Sequence, residues 1–384
     1  MTDPTSPLVL AGARLVLPDR VIERGWLACQ DGRIAEIGEG EAPEAAINCG
    51  GDTLIPGLVE LHTDNLESHY TPRPGVRWSP VSAVVAYDAQ IAASGITTVF
   101  DSLRVGSDYD AASVGADVVI LAEALEVGRA SGVLRAEHRT HLRCEVASPD
   151  VLESATAFLA RFPAHMISLM DHTPGQRQFA SLDAWKRFYT RKVSRTQAEL
   201  DSFVEARLAA HARYSAEHRA ALVRLAGEHG IVLASHDDTT PEHVAESIQD
   251  GVAMAEFPTT VEAARASREA GIAVMMGAPN VIRGGSHSGN VAAETLAREG
   301  LLDILSSDYV PASLLMAAFD LPRRVPEITL PEALRTVTLN PATATGLADR
   351  GAIEAGRRAD LVRVAFVDEA PFAREVYRAG RRVA

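Results

Sequence analysis

Lysine is almost missing from this chain of 384 residues: Lys186 and Lys192 stand against 35 arginines. Arginine suits bidentate capture of phosphate or carboxylate, although a GC-rich genome gives the same bias with no functional cause. Cysteine is also scarce. Cys29, Cys49 and Cys144 form no even-numbered framework and no CxxC pair, which excludes a disulfide scaffold. No apolar run reaches the ~18 residues that a bilayer span needs. The opening MTDPTSPLVL sets no basic segment before an apolar one, so it does not read as a secretory signal. A basic surplus is absent too: the formal net charge is -14, which argues against a nucleic-acid partner but leaves room for a local anion-binding pocket. What is present is core-forming material. Hydrophobic residues make up 47% and charged residues 23%, which excludes disorder for most of the chain. A soluble, cytoplasmic protein is expected, with no membrane partner.

The first fifty-odd residues read as short strands broken by Asp-Gly and Gly-rich turns, and the same texture returns near the end in Ala359–Val364 and REVYRAGRRVA. Both ends are therefore expected to share one small β-sandwich domain, residues 1–55 with 340–384. Between them, eight short apolar strands alternate with helical stretches. They are LVELHTD from 58, ITTVFDS from 96, THLRCEV from 140, HMISLMDH from 165, IVLASHDD from 231, VAMAEFP from 252, IAVMMGAPN from 272 and LLDILSSDY from 301. Eight such units over roughly 250 residues is the arithmetic of a (β/α)8 TIM barrel, here residues 56–339. An open doubly wound sheet would place a phosphate loop after the first strand, and no GxGxxG stands there. The fold class is thus α/β, a barrel with an attached sandwich. A polar helical insertion is expected at about 180–229, of the length typical of lids and substrate-binding segments. Its His211, His218 and His229 read as solvated helix faces.

In barrels of this kind the functional residues sit where strands end. The first strand closes on His62-Thr63-Asp64, the third on Arg143-Cys144-Glu145, the fourth on Asp171-His172, the fifth on Ser235-His236 and the eighth on Ser307-Asp308. Alternation puts His62 and Asp64 on one face. Three imidazoles and three carboxylates gathered at one barrel end would make a poor core, because each buried charge needs a partner. A divalent metal supplies one. Mixed His and carboxylate ligation suits Zn2+, and equally Mn2+, Fe2+ or Ni2+.

Pro56-Gly57-Leu58-Val59-Glu60-Leu61-His62, with Asn340-Pro341-Ala342, Gly351 and Ala359-Asp360-Leu361-Val362 near the end, resembles the amidohydrolase superfamily of metal-dependent hydrolases. The resemblance covers essentially the whole chain. It departs from the usual His-x-His opening, since Asp64 stands where the second histidine would be. The superfamily often bridges two metals with a carboxylated lysine. Both lysines here lie in the insertion, so the resemblance leaves Glu145 as the bridge. His172 and His236 fall on strands four and five, one earlier than the superfamily usually shows.

Longer strings narrow the resemblance: Glu60–Glu67, Thr71-Pro72-Arg73-Pro74, Met170–Phe179 and Arg283-Gly284-Gly285-Ser286-His287-Ser288-Gly289-Asn290. They are similar to the diphosphatases of the carbon–phosphorus lyase pathway that act on α-D-ribose 1-methylphosphonate 5-triphosphate. That resemblance implies a phosphorylated small-molecule substrate and release of pyrophosphate. It implies a centre of two divalent ions, Zn2+ foremost, on His62, Asp64, Glu145, His172, His236 and Asp308, with Asp308 also taking the proton of the attacking water. An aspartate capping the following helix is the plainer reading of Asp308. Arg73, Arg143, Arg177, Arg283, Ser286 and His287 are the expected substrate contacts. The Gly- and Ser-rich loop from Arg283 suits a backbone cradle for phosphate, though it lacks the closing Lys of a Walker loop. Two other readings remain open: a hydrolase of cyclic amide or imide C–N bonds, and a non-catalytic scaffold that has kept the barrel. Assembly as a homo-oligomer is compatible with each.

Overall fold

The computed structural model describes residues 8–42, 46–107, 114–177, 197–286 and 289–384. The chain opens with five strands, β1 (Leu8–Val16), β2 (Val21–Gln30), β3 (Arg33–Glu39), β4 (Ile47–Asn48) and β5 (Thr53–Pro56). β2 and β3 form a hairpin that turns at Asp31-Gly32, where φ is 52° and 75°. Two left-handed residues in a row match the right-handed twist of the flanking strands, which is why Asp-Gly signals such a turn. Gly57 then carries the chain from this sheet towards the barrel. A side chain there would run into Thr97 and Asp360, so the crossing needs glycine.

Eight parallel strands follow: β6 (Leu58–Thr63), β7 (Ile96–Val105), β8 (Glu137–Glu145), β9 (Met166–Met170), β10 (Val232–His236), β11 (Met254–Glu256), β12 (Ala273–Gly277) and β13 (Ile304–Ser306). Each pairs with its neighbour in chain order, and a parallel bridge between Thr63 and Asp308 brings the last strand back to the first. All eight expected barrel strands are present. β6 and β9 are buried at every residue, as a strand covered on both faces must be. Val59, Leu61, Phe100, Met166, Ala234, Met254, Met275 and Ile304 make one inner core, joined by Ala342 and Leu347 from beyond the last barrel strand. A larger apolar layer, including Tyr87, Phe158 and Leu222, lies between strands and helices.

β14 (Leu361–Val367), β15 (Ala370–Arg378) and β16 (Arg381–Arg382) return to the first sheet, whose order is β16-β15-β14-β5-β1-β2-β3 with β4 beside β1. β14 runs antiparallel to β5, Leu361 opposite Pro56 and Val364 opposite Thr53. The two ends of the chain therefore share one sheet, with Leu10, Leu15, Leu27, Leu54, Leu361 and Tyr377 as its own core.

Glu137, the first residue of β8, ties the barrel to the stretch before β14. It accepts from Arg350 at 2.7 Å and from Arg358. Burial alone would raise its pKa, but the hydrogen bonds and charges of Arg358 and Arg350 outweigh it and hold the carboxyl at about 2, against an ordinary 4.5. A depressed carboxylate adds stability above its unfolded pKa and loses it as pH falls through the folded one. Stability is expected to fall on the order of 3 kcal/mol between about pH 4.5 and pH 2 through this group. Denaturant titrations across that range should show a shallower fall in Glu137→Gln.

Candidate active site

Three residues other than glycine take left-handed backbone just after barrel strands: Asp237 (φ 58°) after β10, Phe257 (φ 55°) after β11 and Asp308 (φ 54°) after β13. Such conformations cost of order 1–3 kcal/mol each and persist where the surroundings fix them. All three line a cavity of about 320 Å³ at the ends of the strands. His62, Asp64, Glu145, His172 and His236 line it as well, so the six strand-end residues all border one cavity, though Asp64, Glu145 and Asp308 belong to neither of the close ligand groups among the described residues. His172 follows β9 and His236 ends β10, the fourth and fifth barrel strands.

Behind this wall stands Glu256, the last residue of β11, which the sequence pattern did not single out. Its Oε1 lies 3.0 Å from Nδ1 of His62, and its Oε2 lies 3.0 Å from Nδ1 of His236 and accepts from Ser168 at 2.6 Å. Burial would raise its pKa, but the charges of His62 and His141 and the hydrogen bonds of His236 and His62 hold it well below the usual carboxylate range. Burial pushes His236 down to about 3 against the pull of Glu256, so the ring is neutral, the form that binds metals. The His62 and His236 rings lie nearly parallel, 5.6 Å apart at 22°, with Phe257 edge-on to both at 5.0 and 5.4 Å. Glu145 stands behind the third ring in a similar way: its Oε2 lies 2.7 Å from Nδ1 of His172, and its Oε1 accepts from the backbone N–H of His172 at 3.0 Å. Histidines backed by carboxylates at Nδ1 are the usual scaffold of a metal site.

Two further buried acidic groups stand here, Asp237 on the cavity wall and Glu60 off it. Asp237 is buried beside His236, and burial pushes its carboxyl up to about 7, against the charges of His172 and Arg143. Glu60 accepts from the backbone N–H groups of His62 and Ser307, each at 2.6 Å, and so clamps β6 to β13. Burial raises it to about 7 against the hydrogen bonds from Ser307 and His62. The donor set fits a divalent cation. His172, His236 and Asp237 bring one ligand atom each within 4.8 Å of one another.

The cationic side of the cavity differs in part from the sequence expectation. Arg143, Arg283 and Ser286 line it, and Arg143 reaches Asp64 at 3.3 Å. Arg104 from the end of β7 and Arg207 from the helix Gln197–His229 line it too. Nothing adjacent in sequence pointed to either. Arg177 is engaged elsewhere. It is 5% exposed and paired with Asp238 and Glu246, which leaves its guanidinium off the cavity wall. Arg73 is exposed in a turn, bridged to Val76, and does not line the cavity. His287 lies outside the described residues. The expected insertion is described only from Gln197 onward. There its helix faces inward more than its composition suggested: His211 Nδ1 meets Asp171 at 2.7 Å, and His218 Nδ1 lies 3.2 Å from the carbonyl of Val146.

The family model described as "Amidohydrolase family" matches residues 202–384. The alpha-D-ribose 1-methylphosphonate 5-triphosphate diphosphatase of Escherichia coli strain K12 is 48% identical over 383 residues, covering 98% of this chain and 100% of that protein. The chain belongs to the amidohydrolase family. An imidazolonepropionase of Deinococcus deserti is 26% identical over 98% of the chain and 96% of its own length. Among solved structures, N-isopropylammelide isopropylaminohydrolase from Burkholderia multivorans superposes with a TM-score of 0.65 at 18% identity, over 98% of each chain. At that identity the likeness carries the fold alone. The amidohydrolase barrel and its second sheet are thus shared across relatives named for different substrates.

Proposed function

We propose that this chain is a metal-dependent diphosphatase that cleaves the triphosphate of α-D-ribose 1-methylphosphonate 5-triphosphate, giving the 5-phosphate and pyrophosphate in carbon–phosphorus lyase phosphonate degradation. The observation that carries this reading is the meeting, in one cavity, of a histidine–carboxylate wall with Arg104, Arg143, Arg207 and Arg283. A neutral cyclic amide has no use for four guanidinium groups; a triphosphate does. Arg143 lines the cavity with its side chain 9% exposed and paired to Asp64 at 3.3 Å. The full-length identity to the Escherichia coli diphosphatase supports the same substrate class.

His62, Asp64, Glu145, His172, His236 and Asp308 would hold two divalent ions, with zinc as the first candidate. A divalent metal bound there would supply two things, a water acidic enough to attack near neutral pH and positive charge against the phosphoryl oxygens. The protein's own part is positioning. The arginines orient the triphosphate, Glu256 and Glu145 fix the imidazole rings, and Asp308 accepts the water's proton at a carboxylate oxygen. The attacked phosphorus gains the water oxygen, the α–β anhydride bond breaks, and pyrophosphate leaves with the bond's electron pair. This reading gives the chemistry to residues 56–339 and makes the strands of 1–55 and 340–384 a second unit. It sets the enzyme in the cytoplasm, with a homo-oligomer compatible. No helix among the described residues is long and apolar enough to cross a membrane.

Phosphorus NMR of zinc-loaded protein with the ribose triphosphate tests the reading. Pyrophosphate and the 5-phosphate should appear together in equal amounts. Release of orthophosphate alone, or no reaction while a cyclic imide is opened, would overturn it. Arg283→Ala should weaken productive binding by about 1.5–3 kcal/mol, read as a rise in KM of at least about tenfold.

A further inference from the structure

Asp237 is a buried carboxylate that the six strand-end residues leave unexplained. It is 4% exposed, it lines the cavity, and its Oδ2 has no hydrogen-bond partner among the described residues. The atoms facing that oxygen are Nε2 of His236 at 3.3 Å and Nε2 of His172 at 3.9 Å. Each of these rings has a carboxylate behind it, Glu256 at Nδ1 of His236 and Glu145 at Nδ1 of His172. A carboxylate at Nδ1 keeps the ring's proton there, so Nε2 carries the lone pair. Three acceptor atoms from three side chains therefore converge with no proton donor between them. That arrangement is repulsive unless a cation or a proton completes it.

Resting on the metal-dependent reading above, we propose that Asp237 is itself a ligand, holding a divalent cation together with Nε2 of His172 and His236. Two imidazoles and one carboxylate are a donor set for zinc, manganese or iron in the divalent state. The backbone of Asp237 is left-handed, φ 58°, and its Oδ2 lies 3.3 Å from Nε2 of His236 and 3.9 Å from Nε2 of His172. The competing arrangement needs no ion: a proton on Oδ2 would make a hydrogen bond to Nε2 of His236.

Asp237→Asn separates the two. Asparagine has the same size, tolerates left-handed backbone, and can donate to Nε2 as a protonated carboxyl would. The probe is Zn2+ added to the metal-stripped full-length chain, followed by chelator competition and by its effect on thermal melting. The variant should bind Zn2+ at one position about 100-fold or more weakly than the wild type. It should also lose most of the melting shift that Zn2+ gives the wild type. Equal affinity and equal shift in the two proteins would overturn the assignment. A wild type that binds no divalent ion would overturn it together with the metal reading. A wild type that binds Zn2+ through Asp237 yet releases no pyrophosphate would sink the proposed substrate and leave this ligand standing. Should the variant fail to fold, wild-type crystals soaked in Mn2+ give the answer through anomalous density. A peak about 2.0–2.3 Å from Asp237 Oδ2 supports the ligand, and a peak beyond about 4 Å removes it.

Discussion

Asp308→Asn should lower kcat by about 10²–10⁴-fold while leaving the fold unchanged. Asp308 follows β13 in left-handed backbone, and its N–H donates to the carbonyl of His62 at 3.1 Å. Asparagine keeps that backbone bond and is among the residues that tolerate the conformation. A carboxylate can accept the proton that the attacking water must lose, and an amide cannot. The plainer explanation, that the side chain caps a helix, does not fit the geometry. The next helix, Ser313–Arg324, has Ala312 at its N-cap position, four residues further on. Steady-state kinetics on the ribose triphosphate, with melting and elemental analysis of the same samples, give the readout. A variant with intact metal and near-normal kcat would move the proton to another group, and Asp237 would be the next to test.

The barrel was legible because most of its strands are short apolar runs, although β8, with the sequence EHRTHLRCE, is largely polar. The strand-end residues followed from one rule: ask what polar group closes each strand. Applied to VAMAEFP, the same rule would have picked out Glu256, but a three-residue strand in an apolar stretch offers a weak period. Asp237 was hidden by adjacency. In SHDD the histidine satisfied the pattern, and alternation sends its neighbour outward unless the backbone turns left-handed, as it does here. Arg177 shows the opposite error. Its place in a long family-like string suggested a substrate contact, yet its φ of 37° belongs to a turn that buries it against Asp238. Arg207 reaches the cavity from a helix 33 residues long, and no local pattern says which face of such a helix meets the barrel.

Glu256→Gln should weaken divalent-metal binding on the order of 100-fold and lower turnover with it. The carboxylate has two oxygens and faces two rings: Oε1 meets Nδ1 of His62 and Oε2 meets Nδ1 of His236, both at 3.0 Å. Each ring therefore keeps its proton at Nδ1 and turns Nε2 outward. Glutamine offers one oxygen and one NH2 group. Its NH2 must face one of the rings, and a donor opposite Nδ1 drives that ring's proton to Nε2, which ends its use as a ligand. Neither ring can swing away to recover. They lie 5.6 Å apart and nearly parallel, with Phe257 packed edge-on against both. The charge matters as well as the hydrogen bonds, because Glu256 is the buried anion held ionised by His62, His141 and His236. Glu256→Asp keeps the charge but shortens the reach, so it should retain one histidine contact and fall between wild type and Glu256→Gln. Zinc competition would rank the three proteins, and imidazole nitrogen NMR would show Nε2–H in one ring of the glutamine variant. Unchanged affinity with both rings still protonated at Nδ1 would mean that Glu256 only fills the barrel and that the rings are held by packing alone.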